Sequence, residues 1–174
     1  MSDIDRRILL GAGLSAGLLP GLAEAKAMIG KPAPKFTLTT FDRRKVASED
    51  LIGKVVVLNY WAVWCGPCKR ELPEIDSYVR SKGGNDLKIF AVTIDNTVTN
   101  NELKPLASVL SFPLVTRISG NGYGPIGGAI PSNYVIDRSG ILRYAQAEAF
   151  DYNSFGRLIT PLLAEKAPAV SPVA

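Results

Sequence analysis

The chain contains no histidine, and its only cysteines are Cys65 and Cys68. Without imidazole, the His-based catalytic triads, His-ligated zinc centres and His-ligated haems are excluded together. A closed zinc site needs four ligands, and two sulfurs do not supply them. Strong charge of one sign is also missing. The net charge is +4 over 174 residues, and the basic residues are scattered. The densest run, Arg43-Arg44-Lys45, reads as part of a hairpin turn, and no basic face with interleaved aromatics follows it. No nucleic-acid partner is therefore expected. Internal repeats are absent, and so is any uninterrupted apolar run of the ~20 residues needed to span a membrane. Chemistry here has to run through one C-x-x-C pair, through carboxylates, or not at all.

What is present fits one folded domain. Hydrophobic residues make up 47% and charged residues 21% of the chain, ordinary values for a globular protein. A domain of this length buries about two thirds of its unfolded surface, so it needs no disulfide staple or structural metal. The first 25 residues read differently. Arg6-Arg7 precede an apolar run from Ile8 to Leu22, and Ala23-Glu24-Ala25 offers a small-x-small cleavage site. That order is a secretory signal peptide, with a twin-arginine variant and an uncleaved N-terminal anchor as alternatives. The expected organisation is a signal at 1–25, one domain at 26–166 and a disordered Pro/Ala/Val-rich tail at 167–174. An exported cysteine pair meets an oxidising compartment, where it forms a disulfide unless something reduces it.

Within the domain, Gly30-Lys31-Pro32-Ala33-Pro34 is an extended entry, and Phe36 to Thr40 alternates like a strand. Asp42-Arg43-Arg44 turns the chain back toward Val46. Val55 to Tyr60 is a short valine-rich run that reads as a strand buried on both faces. After Cys68, apolar residues at Leu72, Ile75 and Val79 follow helical spacing until Gly83-Gly84. Lys88 to Ile94 is another buried strand, Asn100 to Leu110 fits a helix despite Pro105, and Leu114 to Ile118 is strand-like. Asn133–Asp137 and Ile141–Gln146 form a hairpin, and Asp151 to Lys166 is an amphipathic helix. Strands alternating with helices give an α/β sheet of mixed direction.

Cys65 ends a buried strand and begins a helix, so its sulfur faces unpaired backbone amides. Those amides and the helix dipole favour a thiolate, the attacking species in disulfide exchange. Cys68, three residues on, is placed to resolve the resulting mixed disulfide. Pro67 in the first turn costs no hydrogen bond. A packing disulfide or half a metal site is the plainer alternative, but so short a loop cross-links little chain.

Trp64-Cys65-Gly66-Pro67-Cys68 resembles the thioredoxin active site. Ile29 to Phe36, Val57-Leu58-Asn59-Tyr60-Trp61-Ala62 and Cys68-Lys69-Arg70-Glu71-Leu72-Pro73 extend the likeness. These stretches resemble the exported thioredoxin-like thiol–disulfide oxidoreductases of bacteria, of the TlpA/ResA and cytochrome c maturation type. The resemblance implies a thioredoxin fold with an N-terminal β-hairpin extension and a central insert near Thr97 to Ser111. It makes Cys65 and Cys68 the redox-active pair and gives client contact to Trp64, Gly66, Pro67, Ile130 and Pro131, with a cis bond before Pro131. Trp61 is expected in the core. Asn59 stands where cytoplasmic thioredoxins carry a buried aspartate, so the usual proton acceptor is missing. Glu71, one helical turn beyond Cys68, is the expected replacement, its pKa raised by burial near apolar groups; a surface acid beside Lys69 or Arg70 is the alternative. The expected reaction is reduction of disulfides in exported clients, such as apocytochrome c or copper-site cysteines. No cofactor is expected; a membrane thiol donor is implied, and the chain is expected to be a periplasmic monomer.

Three rival readings carry less. Gly122-Tyr123-Gly124-Pro125-Ile126-Gly127 fits the dinucleotide fingerprint G-x-G-x-x-G, but Pro125 and Gly128 oppose a helix there, and no acid ends a strand about 20 residues on. Peroxiredoxins need proline and Thr/Ser where this chain has Leu58 and Ala62. A copper(I) chaperone of this fold uses C-x-x-x-C and a histidine, and the chain has neither.

Overall fold

The computed structural model describes residues 27–168. The expected signal peptide at 1–25 and all but the first two residues of the expected tail lie outside them. A seven-stranded mixed sheet forms the centre: β1 (Thr37–Thr40), β2 (Lys45–Ala47), β3 (Val55–Trp61), β4 (Leu87–Thr93), β5 (Leu114–Ser119), β6 (Ser132–Ile136) and β7 (Leu142–Gln146), in the order β2-β1-β5-β4-β3-β6-β7. Strand β3 runs parallel to β4 and antiparallel to β6, and every one of its residues is buried. Its continuous apolar run is explained by that position, since neither face meets water. The β1–β2 hairpin joins the sheet through β5, and its turn holds Arg43 at φ 65°.

Three helices complete the fold: α1 (Gly66–Tyr78), α2 (Asn100–Val109) and α3 (Tyr152–Ala164). Their buried apolar side chains join the face of β3 that carries Val55, Val57 and Trp61. Leu72 and Ile75 of α1, Leu103 of α2, and Phe155, Ile159 and Leu162 of α3 pack there. The spacing of the α3 residues is one stripe of an amphipathic helix. On the opposite face, Val56, Leu58 and Tyr60 are covered by the entry segment, through Phe36 and Ala33, and by the glycine-rich loop, through Tyr123 and Ile126. Tyr60, Tyr123 and Tyr134 meet there edge to face.

Several boundaries have local causes. Asp137 is the turn of the β6–β7 hairpin, where its Oδ1 accepts the N–H groups of Ser139 and Ile141, so β6 stops one residue short of the expected Asp137. Helix α1 widens over Val79–Gly83 and ends at Gly84, which sits at φ 56°. Pro105 is tolerated in α2 because it lies on the exposed side, where water can satisfy the carbonyl it leaves unpaired. The expected insert is this helix with its flanks, and Asp76 of α1 fastens its far end by accepting from the N–H and hydroxyl of Ser111, each at 2.6 Å. The glycine-rich loop begins no helix: the next element among the described residues is β6, so the dinucleotide reading of this loop falls away.

Candidate active site

Strand β3 delivers the chain to the site. After Trp61 the backbone turns, with the Cys65 N–H donating to the Ala62 carbonyl at 3.1 Å. Cys65 caps α1 in an extended conformation, and its Sγ accepts the Cys68 N–H at 3.2 Å. Gly66 and Pro67 make up the start of the first turn. The two cysteines are joined as a disulfide with their Cα atoms 5.3 Å apart. They differ in access: Cys68 is wholly covered, whereas Cys65 keeps 5% of its surface. Thus the cysteine at the helix N-terminus is also the less covered of the two.

Across from the pair, the Ile130–Pro131 peptide bond is cis. It leaves the Ile130 carbonyl oxygen 3.8 Å from Cys65 Sγ. Ser132 holds this loop in place, its hydroxyl accepting from the Ile126 N–H and donating to the Ala129 carbonyl. Trp61 is buried in the core as expected, while Trp64 is 66% exposed beside Cys65. A Cβ added at Gly66 would meet only Arg70, at 3.8 Å, so sterics do not demand glycine there. The structure therefore brings Trp64, Cys65, Gly66, Pro67, Cys68, Ile130 and Pro131 to one end of the sheet.

Glu71 lies one turn beyond Cys68 and is 1% exposed, which excludes the surface alternative. Its surroundings differ from the apolar ones expected. Oε2 accepts from Asn59 Nδ2 at 2.7 Å. Oε1 accepts from Asn133 Nδ2 at 2.7 Å and from the Phe150 N–H at 2.9 Å. Burial pushes the carboxyl pKa up, and these donors pull against that rise without cancelling it. A cleft of about 310 Å³ bounded by Pro67, Arg70, Glu74 and Asp151 reaches Glu71 from solvent.

Asn59, noted in the sequence only as a missing aspartate, is thus a direct partner of Glu71. Asn133 was not singled out at all. The signal for it was an amide beside the apolar run Tyr134–Ile136, but its significance depends on register. Strand pairing sets Asn59 directly opposite Asn133, and nothing local in the sequence reveals that pairing. Among the described residues no cluster of potential ligands could hold a metal ion, and no helix is long and apolar enough to cross a membrane.

A helix-capping C-x-x-C disulfide facing a cis-proline on a mixed sheet is the arrangement of thioredoxin-fold thiol–disulfide oxidoreductases. Residues 29–145 match the AhpC/TSA family. The thiol–disulfide oxidoreductase ResA of Bacillus thuringiensis (strain Al Hakam) is 32% identical over 118 residues, covering 66% of this chain and 67% of that protein. The thioredoxin-like protein YneN of Bacillus subtilis (strain 168) is 28% identical over 117 residues, covering 66% and 68%. Among solved structures, a thiol:disulfide interchange protein of the thioredoxin family from Chlorobium tepidum TLS superposes with a TM-score of 0.63. It covers 80% of this chain and 100% of that one at 23% identity, which establishes the fold. The chain belongs to the AhpC/TSA family, as a thiol–disulfide oxidoreductase of the ResA type.

Proposed function

We propose that this protein reduces disulfides of exported client proteins, with Cys65 as nucleophile and Cys68 as resolving thiol. The observation that carries this assignment is the asymmetry of the pair. Cys65 Sγ sits at the N-terminus of α1 and accepts a backbone N–H, and Cys65 is the less covered residue of the two. In the dithiol form the same N–H and the helix dipole stabilise its thiolate. That thiolate attacks one client sulfur, forming a Cys65–client disulfide and releasing the other client sulfur as thiolate. Cys68 then attacks Cys65 Sγ, closing the Cys65–Cys68 disulfide and releasing the second client thiolate. Two electrons pass to the client, and the two thiolates take up protons. Glu71 is the group through which Cys68 loses its proton, since a buried carboxyl with a raised pKa can exchange protons near neutrality.

The client backbone pairs with the edge presented at Ile130–Pro131, and Trp64, Gly66 and Pro67 form the rest of the contact. Clients are cysteines of exported proteins, such as apocytochrome c or copper sites, and a membrane thiol donor restores the dithiol. The chain works as a monomer outside the cytoplasm, delivered by residues 1–25. Expressing Cys68→Ser and identifying what stays disulfide-linked to Cys65 tests this: exported proteins with paired cysteines are the expected catch, and recovery of no covalent partner overturns the mechanism. The direction is tested separately by the reduction potential, expected near thioredoxin at about −270 mV rather than near a strong oxidant at about −120 mV.

A further inference from the structure

Glu71, the proton-exchanging group of the function proposed above, is met by two amide side chains whose orientation is set from outside the cysteine pair. Each amide side chain around it can present oxygen or nitrogen to its neighbours, so the orientation has to be reasoned out from groups that cannot change. The Glu148 backbone carbonyl can only accept. It lies 2.9 Å from the Asn133 amide, which therefore presents Nδ2 on that side. The same Nδ2 lies 2.7 Å from Glu71 Oε1. Asn133 Oδ1 consequently points the other way, toward Asn59, where it accepts from Asn59 Nδ2 at 2.8 Å. That in turn commits the Asn59 amide, whose other Nδ2 contact is Glu71 Oε2. Turning the Asn59 amide over would set its oxygen against two acceptors, Asn133 Oδ1 and Glu71 Oε2.

The cost of this arrangement is visible in Asn59. Its Oδ1 is buried and has no hydrogen-bond partner among the described residues. A buried amide gives up its acceptor so that both its N–H groups serve Asn133 and Glu71. An unmade buried hydrogen bond is unfavourable, so the orientation is imposed by the neighbours rather than chosen by Asn59. The chain of constraint runs from the Glu148 carbonyl through Asn133 to Asn59, and ends with donors on both oxygens of Glu71.

We propose that Asn133 is the positioning residue of the proton-exchange site, fixing both amides so that the Glu71 carboxylate is met by donors alone. Its effect is to limit the rise that burial imposes on Glu71 and keep the carboxyl able to ionise. The other groups facing Glu71 cannot replace it. Cys68, Arg70 and Glu74 lie on the same helix, Tyr144 on β7, and Glu148 and Asp151 on the segment leading to α3. Strands β3 and β6 contribute the two amides and no charge.

The test is a carboxyl ¹³C NMR titration of the oxidised full chain, with Glu71 assigned through Glu71→Gln. Asn133→Leu removes a donor, and Asn133→Asp keeps the shape but replaces the donor with a second acid. In either variant that retains the near-ultraviolet dichroism of the wild type, the Glu71 midpoint should rise by about one pH unit or more, the expected effect of losing a hydrogen bond to a charged group. An unchanged midpoint overturns the inference. The wild type provides a measurement that no misfolding can confound. Its Asn133 side-chain N–H signals should shift with the Glu71 midpoint, and signals indifferent to that titration also overturn the inference. The role of Glu71 itself is judged by a different readout, the pH profile of thiol alkylation in reduced Glu71→Gln. A profile identical to wild type there sinks proton exchange by Glu71 while leaving the orienting role of Asn133 standing.

Discussion

Replacing Glu71 with glutamine turns its burial into a stability measurement with a definite sign. The unfolded chain ionises this carboxyl near 4.5, and the folded chain does so at higher pH because burial disfavours the charge. Between those two midpoints the folded state holds a proton that the unfolded state has released. Stability therefore falls as pH rises through this window, opposite to the usual behaviour of a paired carboxylate. Each pH unit of separation corresponds to about 1.4 kcal/mol. Glutamine is an imperfect stand-in for the protonated acid. Its amide nitrogen must face either Asn59 Nδ2 or the Asn133 Nδ2 and Phe150 N–H pair, which are donors in both directions. That conflict costs about 1–3 kcal/mol. Urea unfolding of the oxidised proteins at pH 5 and pH 8 should thus find the variant less stable at pH 5, with a deficit that shrinks or reverses at pH 8. Taking the difference between the two proteins cancels every other titrating group they share. A deficit that stays constant or grows with pH refutes the claim that burial dominates the environment of Glu71.

Other expectations concern the frame that holds the site. Asp76→Ala should cost about 1–3 kcal/mol, because it strips the Ser111 N–H and hydroxyl and the Arg80 guanidinium of their acceptor. Burial alone would raise the Asp76 carboxyl, yet those donors hold it below its ordinary 3.8; the deficit, read by urea unfolding, should be full above that pH and shrink as pH falls through the lower folded midpoint. Gly120→Ala should lower the melting temperature markedly, since the residue sits at φ 120° and the new methyl would overlap the Lys35 carbonyl oxygen. A melting temperature within a degree of wild type would refute the close approach.

The parts of the molecule that were legible in the sequence are those fixed by local pattern. Val55 to Tyr60 announced a central strand because every residue in it is apolar except Asn59, and the Leu72–Ile75 spacing announced the helix that follows Cys68. The cysteine pair and Pro131 were legible because their chemistry travels with a short motif. Glu71 was singled out by the family resemblance together with its place one helical turn beyond Cys68, but its environment was misjudged as apolar. The reason is that all its partners arrive from elsewhere: Asn59 from β3, Asn133 from β6 and Phe150 from the approach to α3. The cross-strand meeting of Asn59 with Asn133 depends on a register between strands far apart in the chain, and periodicity within either strand carries no information about it. The exposed position of Trp64 and the buried one of Trp61 were separable because Trp61 adjoins a strand buried on both faces, while Trp64 lies beyond it, directly before Cys65.

The wiring of the buried carboxylate also has a consequence in time. Cys65 and Cys68 are separated by two residues and can react with each other, or with any other thiol, as soon as that short piece of chain exists. Two of the three donors to Glu71 stand 62 and 79 positions further along, at Asn133 and Phe150, while the third, Asn59, precedes it. A chain made from its N-terminus onward therefore carries reactive sulfur well before the surroundings of Glu71 are complete. Only when the final strands and the approach to the last helix come home is the Glu71 site complete, so the proton control proposed for the cysteine pair waits on the C-terminal third of the chain.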